Sequence, residues 1–217
     1  AIYDMAKRYT STSFQRPDDV WIARWDGVRS DDEKLLTATQ WAGHRIKQYR
    51  GAETETIPAM ERLISELPTR VPATDEVSIA HGDYRLENVM FHPTEPRIIA
   101  VLDWELSTIG HPLADIGYNA FIWRSHSPGW GSLDGVDFAT SGIPTEAEYV
   151  SAYARRTGRG EIADWPFYMA FGIFRLASIS QGVYRRTLAG VLASEREAIN
   201  GCPPLAEQAL AILEGRE

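Results

Sequence analysis

The amino-acid sequence predicts an α+β protein, mostly helical, with one small β-hairpin set among the helices. Three observations lead there. Apolar residues recur at helical spacing on both sides of the chain's middle. Between residues 77 and 102 the pattern shortens to apolar runs of strand type, Val77 to Ala80, Val89 to Phe91 and Arg97 to Leu102. A tight connection, His92-Pro93-Thr94-Glu95-Pro96, joins the last two runs. A hairpin among helices is α+β rather than a doubly wound sheet.

Taken in order, residues 1–9 read as helical, whereas Thr10 to Ser30 is polar, carries Pro17 and Gly27 and has no steady period. Asp31 reads as an N-cap for a helix carrying Leu35, Leu36, Trp41 and Tyr49. Pro58 starts a second helix, with Met60, Leu63, Ile64 and Leu67 on one face and Pro68 as its stop. After Pro112 the helical period returns over 112–124, 145–157, 164–187 and 194–214, with a Gly- and Trp-containing loop from Ser125 to Gly142.

Composition narrows the function classes. The 217 residues suit one domain. A formal net charge of −8, with the acidic residues dispersed, argues against a nucleic-acid partner, because neutralising phosphates takes a basic surface. Cys202 is the only cysteine, which rules out an intramolecular disulfide and a cysteine-based zinc site and makes a reducing cytoplasm the expected compartment. No apolar run approaches the roughly 20 residues of a spanning helix, so no membrane partner is expected. The first residues lack the form of a signal peptide.

The informative stretch is His81-Gly82-Asp83-Tyr84-Arg85-Leu86-Glu87-Asn88, followed across the hairpin by Val101-Leu102-Asp103-Trp104-Glu105. Asp83, Asn88 and Asp103 stand at the ends of apolar strands. Singly, each reads as a turn or cap residue. Together they are the oxygen groups phosphoryl transfer uses: a carboxylate to take a hydroxyl proton, and hard ligands for magnesium on a nucleotide.

These residues resemble the kinase-like phosphotransferase family, which includes aminoglycoside and choline kinases. H-G-D-x-x-x-x-N is similar to its catalytic loop, and the hairpin followed by L-D-W-E to its metal-binding segment; the spacing agrees with H-R-D-x-x-x-x-N and D-F-G of protein kinases. The resemblance runs from about Tyr49 to Tyr184. It is nearest to bacterial phosphotransferases akin to the kinase-like domain fused to some acyl-CoA dehydrogenases, through ETETIPAMERLI, HGDYRLENVMFHPTEPRIIAVLDWELSTIGHPLADIGYN and FRLASISQG.

The resemblance implies a protein-kinase-like C-terminal lobe over residues 49–217, with the catalytic loop at 81–88 and the metal segment at 101–105, after a poorly assigned segment, 1–48. It implies Asp83 as the catalytic base, Asn88 and Asp103 as ligands of Mg²⁺, and Arg85 with those two as contacts to ATP, the co-substrate. It makes Asp115 the residue tying the next helix to the catalytic loop, and His81 a buttress. Glu105 is read as structural. Arg175 is read as pairing with a core carboxylate, ahead of meeting an anionic acceptor, the stripe Phe167, Phe171, Phe174 and Ser178 as core, and Trp130 as the most telling of the aromatics that could line an acceptor pocket (with Trp123, Trp165, Tyr168 and Phe171).

The expected function is an ATP- and magnesium-dependent kinase lobe acting on a hydroxyl of a small molecule. The alternative is a non-catalytic binding or regulatory module on the same fold. A metal-dependent hydrolase built on His81, Asp83, Asp103 and His111 leaves the hairpin unexplained. Active relatives place a β-rich lobe with a phosphate-covering loop and a strand lysine before this region, and nothing before Tyr49 reads as one. The expectation is therefore a chain that is poor alone, with an apolar face inviting self-association or a partner that supplies the lobe.

Overall fold

A computed structural model describes residues 38–73, 76, 78–126, 130–191 and 199–217. The expectations for residues 1–37 (the first helix, the irregular stretch and the Asp31 cap), for Val77 and for 194–198 lie outside them. The described residues divide into two compact units, the hairpin segment 89–102 and the remainder.

The larger unit contains α1 (Ala38–Ala52), α2 (Pro58–Glu66) and β1 (Ser78–Ala80). In the hairpin unit, β2 (Val89–Phe91) runs antiparallel to β3 (Ile98–Val101), with Val89 opposite Val101 and a register shift at Met90 and Phe91. The chain then returns to the larger unit through β4 (Thr108–Gly110), α3 (Leu113–Asn119), α4 (Phe138–Ser141), α5 (Glu146–Arg156), α6 (Trp165–Leu188) and α7 (Cys202–Leu213). This is the mostly helical α+β, kinase-like fold the sequence predicts.

Local chemistry explains most boundaries. Pro58 occupies the first turn of α2, where a missing N–H costs nothing. Thr145 and Glu148 form a reciprocal capping box at the start of α5. Asp137 caps α4 by accepting from the Ala139 N–H at 3.0 Å. The last helix is shorter than its apolar pattern suggests: Ile199, Asn200 and Gly201 are not helical, and α7 begins only at Cys202. There the Asn200 side chain accepts the Cys202 N–H at 3.0 Å, while the next two residues, Pro203 and Pro204, have no N–H to offer.

One strand is absent from the sequence reading. β4 pairs antiparallel with β1, placing Ser78, Ile79 and Ala80 opposite Gly110, Ile109 and Thr108. This two-stranded ladder sets the residues that follow β1 beside those that precede β4. The core forms around α6, whose residues from Phe167 to Ser178 are all buried against α1, α3 and α7. Close approach of α3 to α6 depends on two glycines: a Cβ on Gly172 would sit 2.7 Å from the Tyr118 nitrogen, and one on Gly117 2.3 Å from the Tyr168 carbonyl oxygen. Among the described residues no helix is long and apolar enough to cross a membrane.

Candidate active site

The loop after β1 is bent by Gly82, whose φ is +82°. A Cβ there would lie 2.2 Å from the Leu106 carbonyl oxygen, so both the left-handed backbone and the close approach call for glycine. The approach brings the loop 81–88 against the turn Trp104–Leu106 that follows Asp103. The His81 ring lies 4.7 Å from the Trp104 ring at the same junction.

Asp115, one turn into α3, fixes the loop from below. Its two carboxylate oxygens accept the His81 N–H at 2.5 Å and the Gly82 N–H at 2.9 Å. Burial is the largest influence on this carboxyl and pushes it above its ordinary range; the two N–H donors and the positive charge of Arg175 pull it back down. The tying role expected of Asp115 is therefore what the geometry displays. His81 buttresses the loop as expected, its Nδ1 accepting the Asp83 N–H at 3.2 Å.

Arg175 enters from α6 and is fully buried. It donates to the Gly82 carbonyl and stacks over the Tyr118 ring at 4.7 Å. Burial lowers the affinity of its guanidinium for a proton, and Tyr118, Asp115 and Asp83 oppose that shift. The Asp115 and Asp83 carboxylates act on Arg175 through charge, and its contacts include a carbonyl and an aromatic face.

Asp83 is gripped from two sides. The Tyr118 hydroxyl donates to Oδ1 at 2.7 Å, and the Asn88 amide nitrogen donates to Oδ2 at 2.9 Å and to the Asp83 carbonyl at 2.8 Å. The Arg85 guanidinium lies 3.4 Å from Oδ2. A carboxylate offers about four lone-pair sites. Two hydrogen bonds and one ion pair leave a position on Oδ1, beside the Tyr118 hydroxyl.

Of the four sequence-predicted residues, Asp83, Arg85 and Asn88 are thus in direct contact. Asp103 shares no hydrogen bond or ion pair with them among the described residues. It is exposed, and it is the only non-glycine among the described residues with positive φ (64°). An aspartate held in the left-handed region is uncommon and marks a tightly constrained turn. Among the described residues no group of three or more His, Cys, Asp or Glu side chains could hold a metal. A magnesium ion carried by nucleotide phosphates asks for less, one or two protein oxygens. Asn88, whose N–H side is spent on Asp83, and exposed Asp103 are oxygen donors that fit that requirement.

Sequence reasoning missed Tyr118 and the links around it. Asn119 donates to the Tyr84 carbonyl at 3.3 Å and accepts from the Tyr149 hydroxyl at 2.6 Å, and Tyr149 stacks on Trp123 at 4.7 Å. The available signal was spacing: Tyr118 is three residues after Asp115, hence on the same helix face. Among the aromatics expected at a pocket, Tyr168 and Phe171 are core, Trp165 bonds Glu146 at 2.8 Å, and Trp130 lines a cavity beside the loop.

The order of elements, a strand, the loop 81–88, a hairpin and then helices, is that of a kinase-like phosphotransferase lobe. The chain belongs to the phosphotransferase enzyme family, whose profile matches residues 16–171. It is 48% identical over 150 residues to acyl-CoA dehydrogenase family member 10 of Mus musculus, covering 68% of this chain and 14% of that protein. It is 43% identical over 174 residues to acyl-CoA dehydrogenase family member 11 of Homo sapiens, covering 76% of this chain and 22% of that one. A solved structure of a "putative aminoglycoside phosphotransferase" from Ralstonia eutropha JMP134 superposes with a TM-score of 0.79 at 43% identity, over 85% of this chain and 58% of that one. The chain thus spans less than a quarter of these curated relatives and under two thirds of the solved structure.

Proposed function

We propose that this chain transfers the γ-phosphate of ATP to a hydroxyl of a small molecule, with Asp83 as the base and Asn88 and Asp103 as the metal-nucleotide ligands. The observation that carries the reading is the double grip on Asp83. A carboxylate held by Tyr118 and Asn88, on a loop fixed by Asp115 and Arg175, is oriented before any substrate arrives. Family membership supports the reaction class, and the Ralstonia relative's description points to a hydroxyl-bearing acceptor.

In this reading the acceptor hydroxyl donates to the open position on Asp83 Oδ1. As its oxygen bonds to the γ-phosphorus, the proton passes to Asp83 and the bond to the bridging oxygen breaks, releasing ADP. Asn88 and Asp103 would hold magnesium, which would supply charge neutralisation on the phosphates. Arg85, half exposed beside Asp83, adds the positive charge nearest the base. Calorimetric titration of Mg-ATP tests the ligand assignment. Asp103→Ala should weaken binding at least tenfold while leaving magnesium-free nucleotide binding unchanged. Equal Mg-ATP affinity in the variant would remove Asp103 from the role.

A further inference from the structure

Beside the catalytic loop lies a cavity of about 190 Å³. Its walls are mainly apolar and aromatic, Phe121, Ile122, Leu133 and Leu176 with Tyr118 and Trp130, and Asn119 and Ser132 add two neutral polar groups. Arg85 and Glu87, from the loop itself, are the only charged residues lining it among the described residues, and Arg85 already pairs with Asp83. Two lining residues contact Asp83: Tyr118, whose hydroxyl donates to Oδ1 at 2.7 Å, and Arg85, whose guanidinium lies 3.4 Å from Oδ2.

From this lining we infer that the acceptor is an alcohol with an aliphatic segment, seated with its hydrocarbon part in the cavity and its hydroxyl toward Asp83. The inference rests on the phosphotransferase reading for the identity of the reacting group, and on the cavity alone for the apolar part. A polycationic acceptor would be favoured by several carboxylates, and among the described residues this wall offers one, Glu87. An apolar wall instead rewards each methylene removed from water. The volume is below the roughly 300–1,000 Å³ of sites that enclose a drug-sized ligand, so the cavity takes one end of an acceptor and leaves the rest outside.

Binding of a homologous series, n-butanol through n-octanol, to the nucleotide-free chain tests this, read by NMR titration and by the Trp130-dependent part of the fluorescence. Affinity should rise about fourfold per added methylene until the cavity is full. Ile122→Trp, which fills the space, should abolish the rise with little change in the melting temperature. Leu133→Phe serves the same purpose should the first variant not fold. Affinity independent of chain length, undiminished binding in both filled variants, or tighter binding of spermidine than of octanol would overturn the inference. The two readings fail separately. Alkanols that bind with the expected chain-length dependence but receive no phosphate from ATP in a form carrying a nucleotide-covering lobe would sink the phosphotransferase reading and leave the cavity assignment intact. Phosphate transfer to polar alcohols with no dependence on chain length would do the reverse.

Discussion

Tyr118 and Asp83, thirty-five positions apart in the chain, meet through a 2.7 Å hydrogen bond from the tyrosine hydroxyl to Oδ1 of the carboxylate. Burial, and then this bond and the carboxylate's charge, push the Tyr118 hydroxyl far above the ordinary tyrosine range, so it remains a donor at any pH the protein experiences. In the proposed reaction its role is positioning: it fixes the rotamer of the Asp83 carboxylate.

Tyr118→Phe keeps the ring over which Arg175 stacks and removes only the donor. A hydrogen bond to a charged group contributes about 1.5–3 kcal/mol. If most of that orients the base, kcat should fall between roughly tenfold and a hundredfold, with the nucleotide dissociation constant unchanged. A purely structural tyrosine would instead lower the melting temperature and leave kcat near wild type.

Arg175 joins the helical core to the catalytic loop. Arg175→Met fills similar volume but leaves the buried Gly82 carbonyl without this donor, which should cost about 1–3 kcal/mol of stability. Denaturant unfolding should show a lower midpoint with an unchanged slope. Arg175→Lys should not rescue it, because an ammonium cannot stack on Tyr118 while donating to Gly82 as the planar guanidinium does. An unchanged midpoint in the methionine variant would contradict this account.

Two glycine substitutions should have opposite signs. Gly82→Ala forces a side chain into a left-handed backbone and against the Leu106 carbonyl, and should destabilise by about 1–3 kcal/mol or more. Gly43→Ala, in α1 with nothing among the described residues within 4 Å of the added methyl, should stabilise by about 0.5–1 kcal/mol through helix propensity. Urea midpoints of the two variants check both.

Cys202 is fully buried at the start of α7, and burial pushes its thiol up to about 12. Native protein at pH 8 should therefore resist iodoacetamide for hours, and react promptly once unfolded. The linkage has a definite sign. The folded value lies above the unfolded value of about 8.5, so between these two the native state holds more protons and stability falls as pH rises. Cys202→Ala should flatten that decline; an equal slope in the variant would contradict the assignment.

The sequence was most legible where chemistry is local. H-G-D-x-x-x-x-N, the hairpin, Asp115 and the apolar stripe of α6 each carry a pattern within a few residues. The missed features depend on pairing across the chain. β4 is three residues long, too short for a period, and exists because β1 lies opposite. Tyr118 reads as a core aromatic until the Asp83 loop is placed beside it. The late start of α7 goes with the Asn200 side chain, which accepts the Cys202 N–H although an apolar pattern continues upstream. Arg175 could be expected to find a partner, but that the partner is the Gly82 carbonyl follows only from the left-handed bend at that glycine.

The central claim is that Asp83 is the base of a phosphoryl transfer, and its removal in an enzyme form carrying a nucleotide-covering lobe tests it most directly. Asp83→Asn preserves the shape of the side chain and most of its hydrogen bonding. Phosphate transfer from ATP to the best alcohol of a panel should fall about 10²–10⁴-fold, with Mg-ATP affinity within a factor of about two of wild type. Turnover retained at a third or more of the wild-type rate would contradict the account.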